Sequence, residues 1–227
     1  MKREIVITAD GSTTIHLPDW NEHYHSKHGA IREAYHVFIN HGLCHFLNYE
    51  LGSRPHKPIS ILEIGFGTGL NAFITLLEAE KLKLNIDYIG VEGYPVLKDE
   101  INLLNYPKEL NSKENEAYFE NLHDVSWNEK HTITSWFSLT KQQKMFHEVH
   151  DLCVFNIIYF DAFGARVQPE LWTESIFQIM YNALKPNGIL VTYAAKGSVR
   201  RAMKAVGFSV EKLPGPPGKR EMLRATK

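Results

Sequence analysis

The residues of this chain best placed to do chemistry begin with Glu63-Ile64-Gly65-Phe66-Gly67-Thr68-Gly69. An apolar stretch from Ile59 to Ile64 runs into this loop, and a helical pattern opens behind it at Leu70-Asn71. A strand, a glycine turn and a helix in that order let the backbone approach a ligand closely. The glycines alternate, so the spacing G-x-G-x-x-G of dinucleotide sites fails where Leu70 stands. Glu63 lies two residues before the first glycine, where a carboxylate would repel a pyrophosphate seated on the helix N-terminus. S-adenosyl-L-methionine carries a sulfonium and an ammonium instead, and a nearby acid favours both. Glu92 closes the next apolar strand, 27 residues after Gly65, where an acid can accept hydrogen bonds from ribose hydroxyls. The expected cofactor is therefore S-adenosyl-L-methionine, and the expected residues around it are Glu63, Gly65, Gly67, Gly69, Asn71 and Glu92.

Asp161 follows Asn156-Ile157-Ile158-Tyr159-Phe160, at the carboxyl end of an apolar run that reads as a central strand. Open α/β sheets bind ligands at that edge. An amine that accepts a methyl group must present a neutral lone pair and becomes a cation in doing so. A carboxylate beside it orients the N–H groups, stabilises the developing charge and can take a proton. Asp161 is thus the expected catalytic residue. After it, Phe163 has the chemistry to stack on a base and Arg166 the chemistry to meet a phosphate.

These groups need a scaffold, and the pattern supplies one. Glu4 to Thr8 and Thr14 to Leu17, joined by Asp10-Gly11-Ser12, read as a hairpin. Apolar positions from Ile31 to Leu51 recur at helical spacing, with Gly42 a candidate interruption. The breaker run Gly52 to Pro58 follows. Short apolar strands then alternate with helices: Ile59–Ile64, helix 70–81, Asp87–Glu92, helix 95–104, Val154–Phe160, helix 169–184 and a strand at 188–194. A helix at 198–206 and strands at 208–213 and 221–225 complete the chain. Segments 131–137 and 145–149 read as strands of antiparallel character. Such alternation predicts an α/β fold with a mostly parallel, Rossmann-like sheet. The expected division is residues 1–55 as a hairpin and helical extension and 56–227 as the main domain.

Composition narrows the class. Hydrophobic residues make up 44% and charged residues 22% of the 227, which suits a folded globular chain. The apolar runs fall far short of the roughly 20 residues of a membrane helix, and the N-terminus lacks the apolar core of an export signal. Two cysteines, Cys44 and Cys153, give no disulfide framework, so a cytoplasmic setting is expected. His23, His25 and His28 sit close in sequence but complete no metal-ligand spacing, and no G-x-S-x-G elbow is present. The net charge of −1 conceals ten Lys and Arg against two acids from Lys185 onward. A basic end of this kind suits a phosphate-bearing partner as well as a merely solvated face.

The residues together resemble a known family. Tyr24-His25-Ser26, Gly29-Ala30-Ile31-Arg32-Glu33, the glycine loop through Asn71, Glu92 before Pro95, Tyr159-Phe160-Asp161-Ala162-Phe163, Pro169-Glu170-Leu171-Trp172, Ala194 to Arg201 and Gly218-Lys219-Arg220-Glu221-Met222 carry the likeness. They resemble the tRNA 5-methylaminomethyl-2-thiouridine methyltransferases, the methyltransferase half of the bifunctional MnmC-type enzyme. The resemblance implies a class I methyltransferase fold and methylation of the exocyclic amine of 5-aminomethyl-2-thiouridine at the tRNA wobble position, with Asp161 beside the amine. It also implies that Lys196, Arg200, Arg201, Lys219 and Arg220 contact phosphates of the anticodon arm. The flavin-dependent oxidase half of the bifunctional relatives is not in this sequence, so a separate enzyme is expected to supply the aminomethyl-uridine. A small-molecule amine methyltransferase, an aminopropyl-transferring relative and a non-catalytic RNA-binding module would share the cofactor loop or the fold, but would differ in salt dependence or turnover.

Overall fold

Strands built of β-branched and aromatic residues set the frame. The computed structural model describes residues 2–50 and 57–227. The chain opens with β1 (Glu4–Ile7), β2 (Thr13–Leu17) and β3 (Glu22–His23), an antiparallel sheet in that order. A continuous helical rod follows, made of α1 (Ala30–Ala34), a π-helical stretch (Tyr35–Cys44) and α2 (His45–Glu50). Then come β4 (Ile59–Ile64), α3 (Leu70–Leu82), β5 (Ile86–Glu92), α4 (Lys98–Ile101), α5 (Tyr106–Glu109) and α6 (Glu116–Asp124). The second half holds β6 (Lys130–Thr132), β7 (Phe137–Gln143), β8 (Phe155–Phe160), α7 (Glu174–Ala183), β9 (Leu184–Thr192), α8 (Gly197–Ala205), β10 (Ser209–Pro214) and β11 (Glu221–Thr226).

The central sheet runs β10-β11-β9-β8-β4-β5-β7-β6. Neighbours from β9 to β7 are parallel, while β11 and β6 run antiparallel to the strands beside them. The order reverses at β4, which sits between β5 and β8, and crossovers diverge there to opposite sides. Such a switch point leaves a crevice at the carboxyl ends of the strands. Gly65, Glu92 and Asp161 all stand at those ends.

Several expectations need correction. Gly42 does not break the helical rod: it is buried within the π-helical stretch, where an added Cβ would stand 3.2 Å from both the Tyr159 ring and Val191. Its job is close approach to β8 and β9. Residues 145–149 form no strand, and the strand beside β5 is Phe137–Gln143, running parallel to it. Lys141 hid that strand, because a charged residue stands on its buried face at 1% exposure. Burial lowers its ammonium to about 8, and Nζ donates to the His123 carbonyl at 2.5 Å. The helix expected at 95–104 shrinks to α4, and the one at 169–184 starts as a 3-10 turn, Pro169–Trp172. The segments α5 and α6 carried too many polar residues to declare themselves, although Phe119 and Leu122 bury one face. Leu51, the run Gly52 to His56 and the boundary at 55/56 lie outside the described residues.

One hydrophobic cluster joins the hairpin, the rod and the sheet: Ile15, Leu17, Val37 and Phe38 share it with Ile61, Phe73 and Tyr159. Among the described residues no helix is long and apolar enough to cross a membrane. The glycine loop itself is seated by Phe66, whose ring lies over Gly90 of β5; a Cβ there would meet Phe66 Cδ2 at 2.4 Å. Overpacking of this kind costs about 1–3 kcal/mol. Gly90→Ala is therefore expected to lower Tm and, by displacing Phe66, to weaken S-adenosyl-L-methionine binding in calorimetry; unchanged binding would show that the loop does not depend on this seat.

Candidate active site

A cleft of about 990 Å³ opens at the carboxyl ends of β4, β5 and β8. Ligand sites of drug-sized molecules span about 300–1,000 Å³, so there is room for a cofactor and part of an acceptor. Gly65, Gly67, Asn71, Glu92, Asp161 and Phe163 all line it. Gly65 has φ 91°, and a Cβ there would come within 2.7 Å of the Asp161 carbonyl. That contact needs glycine twice over, for the left-handed backbone and for the closeness of the two strand ends.

Asn71, the second residue of α3, ties the site together. Its Nδ2 donates to Glu63 Oε1 at 2.9 Å and to Asp161 Oδ2 at 2.8 Å. Asn71 Oδ1 has no partner among the described residues, although it is buried. Burial pushes the Glu63 carboxyl well above the usual range, with the charges of Asp161 and Glu92 adding to the effect and the Asn71 amide opposing it. Burial also raises Asp161, to about 7, assisted by Glu33 and opposed by Asn71 and Lys219. Glu92 uses Oε2 to accept the Gly67 N–H at 3.0 Å and Oε1 to accept the Tyr94 N–H at 2.8 Å. It buttresses the loop and lines the cleft.

Glu63 departs from expectation. It is fully buried under the loop and does not line the cleft; its hydrogen bond is to Asn71. Phe163 lines the cleft, edge-on to Tyr24 at 4.9 Å and to Trp20 at 5.7 Å. Arg166 is exposed but tied to the hairpin: Nη2 donates to the carbonyls of Trp20 and Asn21 and to Glu22 Oε2 at 3.0 Å. Lys196, Arg201 and Arg220 are exposed and Arg200 partly so, and none of them makes an ion pair among the described residues. Lys219 turns inward to Glu33.

The hairpin supplies cleft residues that the sequence reading did not assign. Trp20, Tyr24, His25 and Arg3 line the cleft. Arg3 donates to Glu100 Oε2 at 2.9 Å and to the Tyr94 carbonyl at 3.1 Å, closing the hairpin onto the segment after β5. His25 Nδ1 pairs with Thr14 Oγ1 at 3.0 Å, and its Nε2 lies 3.4 Å from Thr68 Oγ1 in the glycine loop. Burial drops His25 to about 4, so the ring is neutral. His23 stacks on His16 at 4.5 Å. The one available signal was the block Tyr24-His25-Ser26.

Comparison with known proteins now bears on this geometry. A family model described as an S-adenosyl-L-methionine-dependent methyltransferase matches residues 111–227, just over half of the chain. The chain belongs to this methyltransferase family. It is 31% identical over 88% of its length to the tRNA 5-methylaminomethyl-2-thiouridine biosynthesis bifunctional protein MnmC of Leptospira borgpetersenii, of which it covers 31%. To the same protein of Hydrogenovibrio crunogenus it is 27% identical over 88% of its length, covering 30% of that protein. The methyltransferase thus spans about a third of the length of these curated relatives. The solved structure of MnmC2 from Aquifex aeolicus matches 99% of the chain with TM-score 0.77 and 27% identity, over 69% of that structure. Spermidine synthase from Thermotoga maritima shares the fold, with TM-score 0.54 at 17% identity over 72% of its chain.

The cofactor of the family is S-adenosyl-L-methionine, and the cleft fits it on three grounds. The glycine turn brings backbone to the cleft wall, Asn71 offers an unpartnered carbonyl oxygen, and Glu92 on the cleft wall favours a cation. The raised Asp161 also has a cost. A carboxyl with a folded-state pKa near 7 and an unfolded one near 3.8 destabilises the fold increasingly from about pH 4 to 7, and fully above that. Asp161→Asn should therefore melt at a higher temperature than wild type at pH 8. That difference should fade on acidification and vanish below about pH 4, as read by calorimetry across pH.

Proposed function

We propose that this methyltransferase transfers a methyl group to the exocyclic amine of 5-aminomethyl-2-thiouridine at the tRNA wobble position. The observation that carries the reading is a carboxyl, Asp161, on the cleft floor beside an aromatic wall of Trp20, Tyr24 and Phe163. The printed names of the MnmC relatives support the nucleoside, and the exposed basic residues of α8 and its flanks support an RNA.

Bound S-adenosyl-L-methionine would supply a sulfonium-activated methyl group for a nitrogen lone pair, with a neutral thioether as the leaving group. Among the residues that line the cleft, Asn71 with the backbone of Gly65 and Gly67 would hold the amino-acid portion and Glu92 the ribose, and Glu63 fixes Asn71 from below, whereas Gly69 packs against His123 away from the cleft wall. The aminomethyl group reaches the site as an alkylammonium at neutral pH and must shed one proton before it can attack. The Asp161 carboxylate accepts that proton and orients the nitrogen; no covalent enzyme group is needed, so alignment provides much of the rate. Phe163, with Tyr24 and Trp20, holds the splayed base, since a base in a single-stranded loop can be drawn into a pocket. Lys196, Arg200, Arg201 and Arg220 meet phosphates of the anticodon arm. An earlier modifying enzyme must install the aminomethyl group, because unmodified uridine carries no such amine.

The test is methyl transfer from labelled cofactor to tRNA bearing 5-aminomethyl-2-thiouridine, with nucleoside mass spectrometry of the product. Asp161→Ala should cut turnover by about 10²–10⁴-fold while cofactor binding stays within a few-fold. Wild-type protein that leaves the nucleoside unmethylated sinks the reading. Binding of tRNA should weaken steeply between 50 and 200 mM salt, and Arg200→Ala with Arg201→Ala should reduce the slope by about one each. A salt-independent turnover would point to a small-molecule acceptor.

A further inference from the structure

Asp161, Ala162 and Phe163 all line the cleft, yet the chain from Asp161 to Gly164 belongs to no helix or strand. A stretch without a ladder of its own keeps its shape only if other groups satisfy and hold its peptide units. The unit before Asp161 is held by β4, because the Asp161 N–H donates to the Ile64 carbonyl at 2.9 Å. Two later carbonyls are held by aromatic side chains. The Tyr193 hydroxyl donates to the Ala162 carbonyl at 2.8 Å, and Trp172 Nε1 donates to the Phe163 carbonyl at 2.8 Å. Each donor is itself fixed. Trp172 closes the 3-10 turn Pro169–Trp172 at 5% exposure, with its ring edge-on to Phe160 at 5.1 Å. Tyr193 stands just beyond β9, edge-on to Trp172 at 6.2 Å, and the Lys219 ammonium lies 3.7 Å from the centre of its ring. Glu33 tethers Lys219 in turn.

We infer that Tyr193 and Trp172 are positioning residues for the methyl acceptor: their hydrogen bonds to successive carbonyls fix the backbone of Phe163 and so aim its ring at the base beside Asp161. The inference rests on the role given to Phe163 above. A peptide unit is planar, so a residue has only two soft dihedrals, one toward each neighbouring unit. The Ala162 carbonyl belongs to the unit before Phe163, and the Phe163 carbonyl to the unit after it. Holding both units sets φ and ψ of Phe163, and with them the direction of its Cα–Cβ bond. The rings of Tyr24 and Trp20, edge-on to Phe163, then select its rotamer. Neither Trp172 nor Tyr193 lines the cleft, which leaves Phe163 as their route to the acceptor. The gain is alignment: in a site that works by orienting its reactants, a displacement of about 1 Å can cost about 10²-fold in rate. Both donors are single N–H or O–H groups, so each can be removed while most of the ring that carries it is kept.

The experiment compares Tyr193→Phe and Trp172→Phe with wild type, each alone and combined with Phe163→Leu. Tyr193→Phe keeps the ring beside Lys219 and removes one oxygen. The first readout needs no acceptor. Labelling alanine with ¹³C at the carbonyl and phenylalanine with ¹⁵N isolates the Ala72–Phe73 and Ala162–Phe163 peptide groups in a carbonyl-to-amide NMR spectrum, and the second is assigned by its loss in Phe163→Leu. Its carbonyl and amide shifts should both move in Tyr193→Phe, while Ala72–Phe73 stays in place. The second readout is methyl transfer to tRNA. Tyr193→Phe should lower kcat about three- to tenfold and Trp172→Phe at least as much, with cofactor binding and the salt slope of tRNA binding unchanged. In the Phe163→Leu background the effect of Tyr193→Phe should shrink to under about twofold, because the ring it positions is gone. Wild-type kcat in Tyr193→Phe overturns the inference, and so does a loss that persists undiminished beside Phe163→Leu. An unmoved Ala162–Phe163 signal overturns it equally. If Trp172→Phe does not fold, Tyr193→Phe decides alone. Failure of wild type to methylate tRNA would remove the assigned acceptor, whereas the peptide signal still decides whether these donors hold Phe163.

Discussion

One side-chain amide, that of Asn71, is the interaction on which the site depends. It holds two carboxyls, Glu63 and Asp161, within hydrogen-bond distance of a single nitrogen. Two carboxylates this close in a low dielectric cannot both be charged without a large penalty, and both are displaced toward the protonated form. Titration of the two is therefore a property of the pair and its shared donor rather than of either residue. The amide also fixes geometry: α3 starts at the end of the glycine loop, so its first turn is bound to the end of β4 below and to the end of β8 beside it. The crevice at the switch point is kept at one width by this link.

Around that link the protein arranges charge in layers. Glu63 lies beneath, neutralised by burial, and Asp161 on the floor is poised near neutrality. Glu92 is occupied with two backbone N–H groups. The hairpin adds an aromatic wall and a neutral histidine, so no full positive charge from that side opposes a sulfonium except Arg3. Arg3 in turn is satisfied by Glu100 at 2.9 Å. Two of the residues first expected at phosphates, Arg166 and Lys219, also make contacts within the chain near the site. Arg166 ties the segment after β8 to the hairpin, and Lys219 ties the C-terminal loop to α1.

The strands and the glycine loop were legible because their signal is local. Ile59–Ile64, Ile86–Glu92 and Phe155–Phe160 are runs of apolar and β-branched residues that only a buried strand tolerates, and alternating glycines between strand and helix leave few other readings. Legibility failed where burial contradicts residue type. Lys141 at 1% exposure disguised β7, and the acids and amides of Glu114 to Asn121 disguised α6. Gly42 read as a break because its purpose, room for the Tyr159 ring, lies on another element.

By itself the sequence determined the strands Ile59–Ile64, Ile86–Glu92 and Phe155–Phe160, the glycine loop and the acid at the end of the central strand, since each is a local pattern along the chain. The tertiary structure alone decided which charges face one another. Glu33 and Lys219 are separated by 186 residues, and Asn71 and Asp161 by 90. Whether a carboxyl is a proton acceptor or a buried strut depends on the dielectric and on the nearest charges, both of which are set by chain segments brought together only on folding.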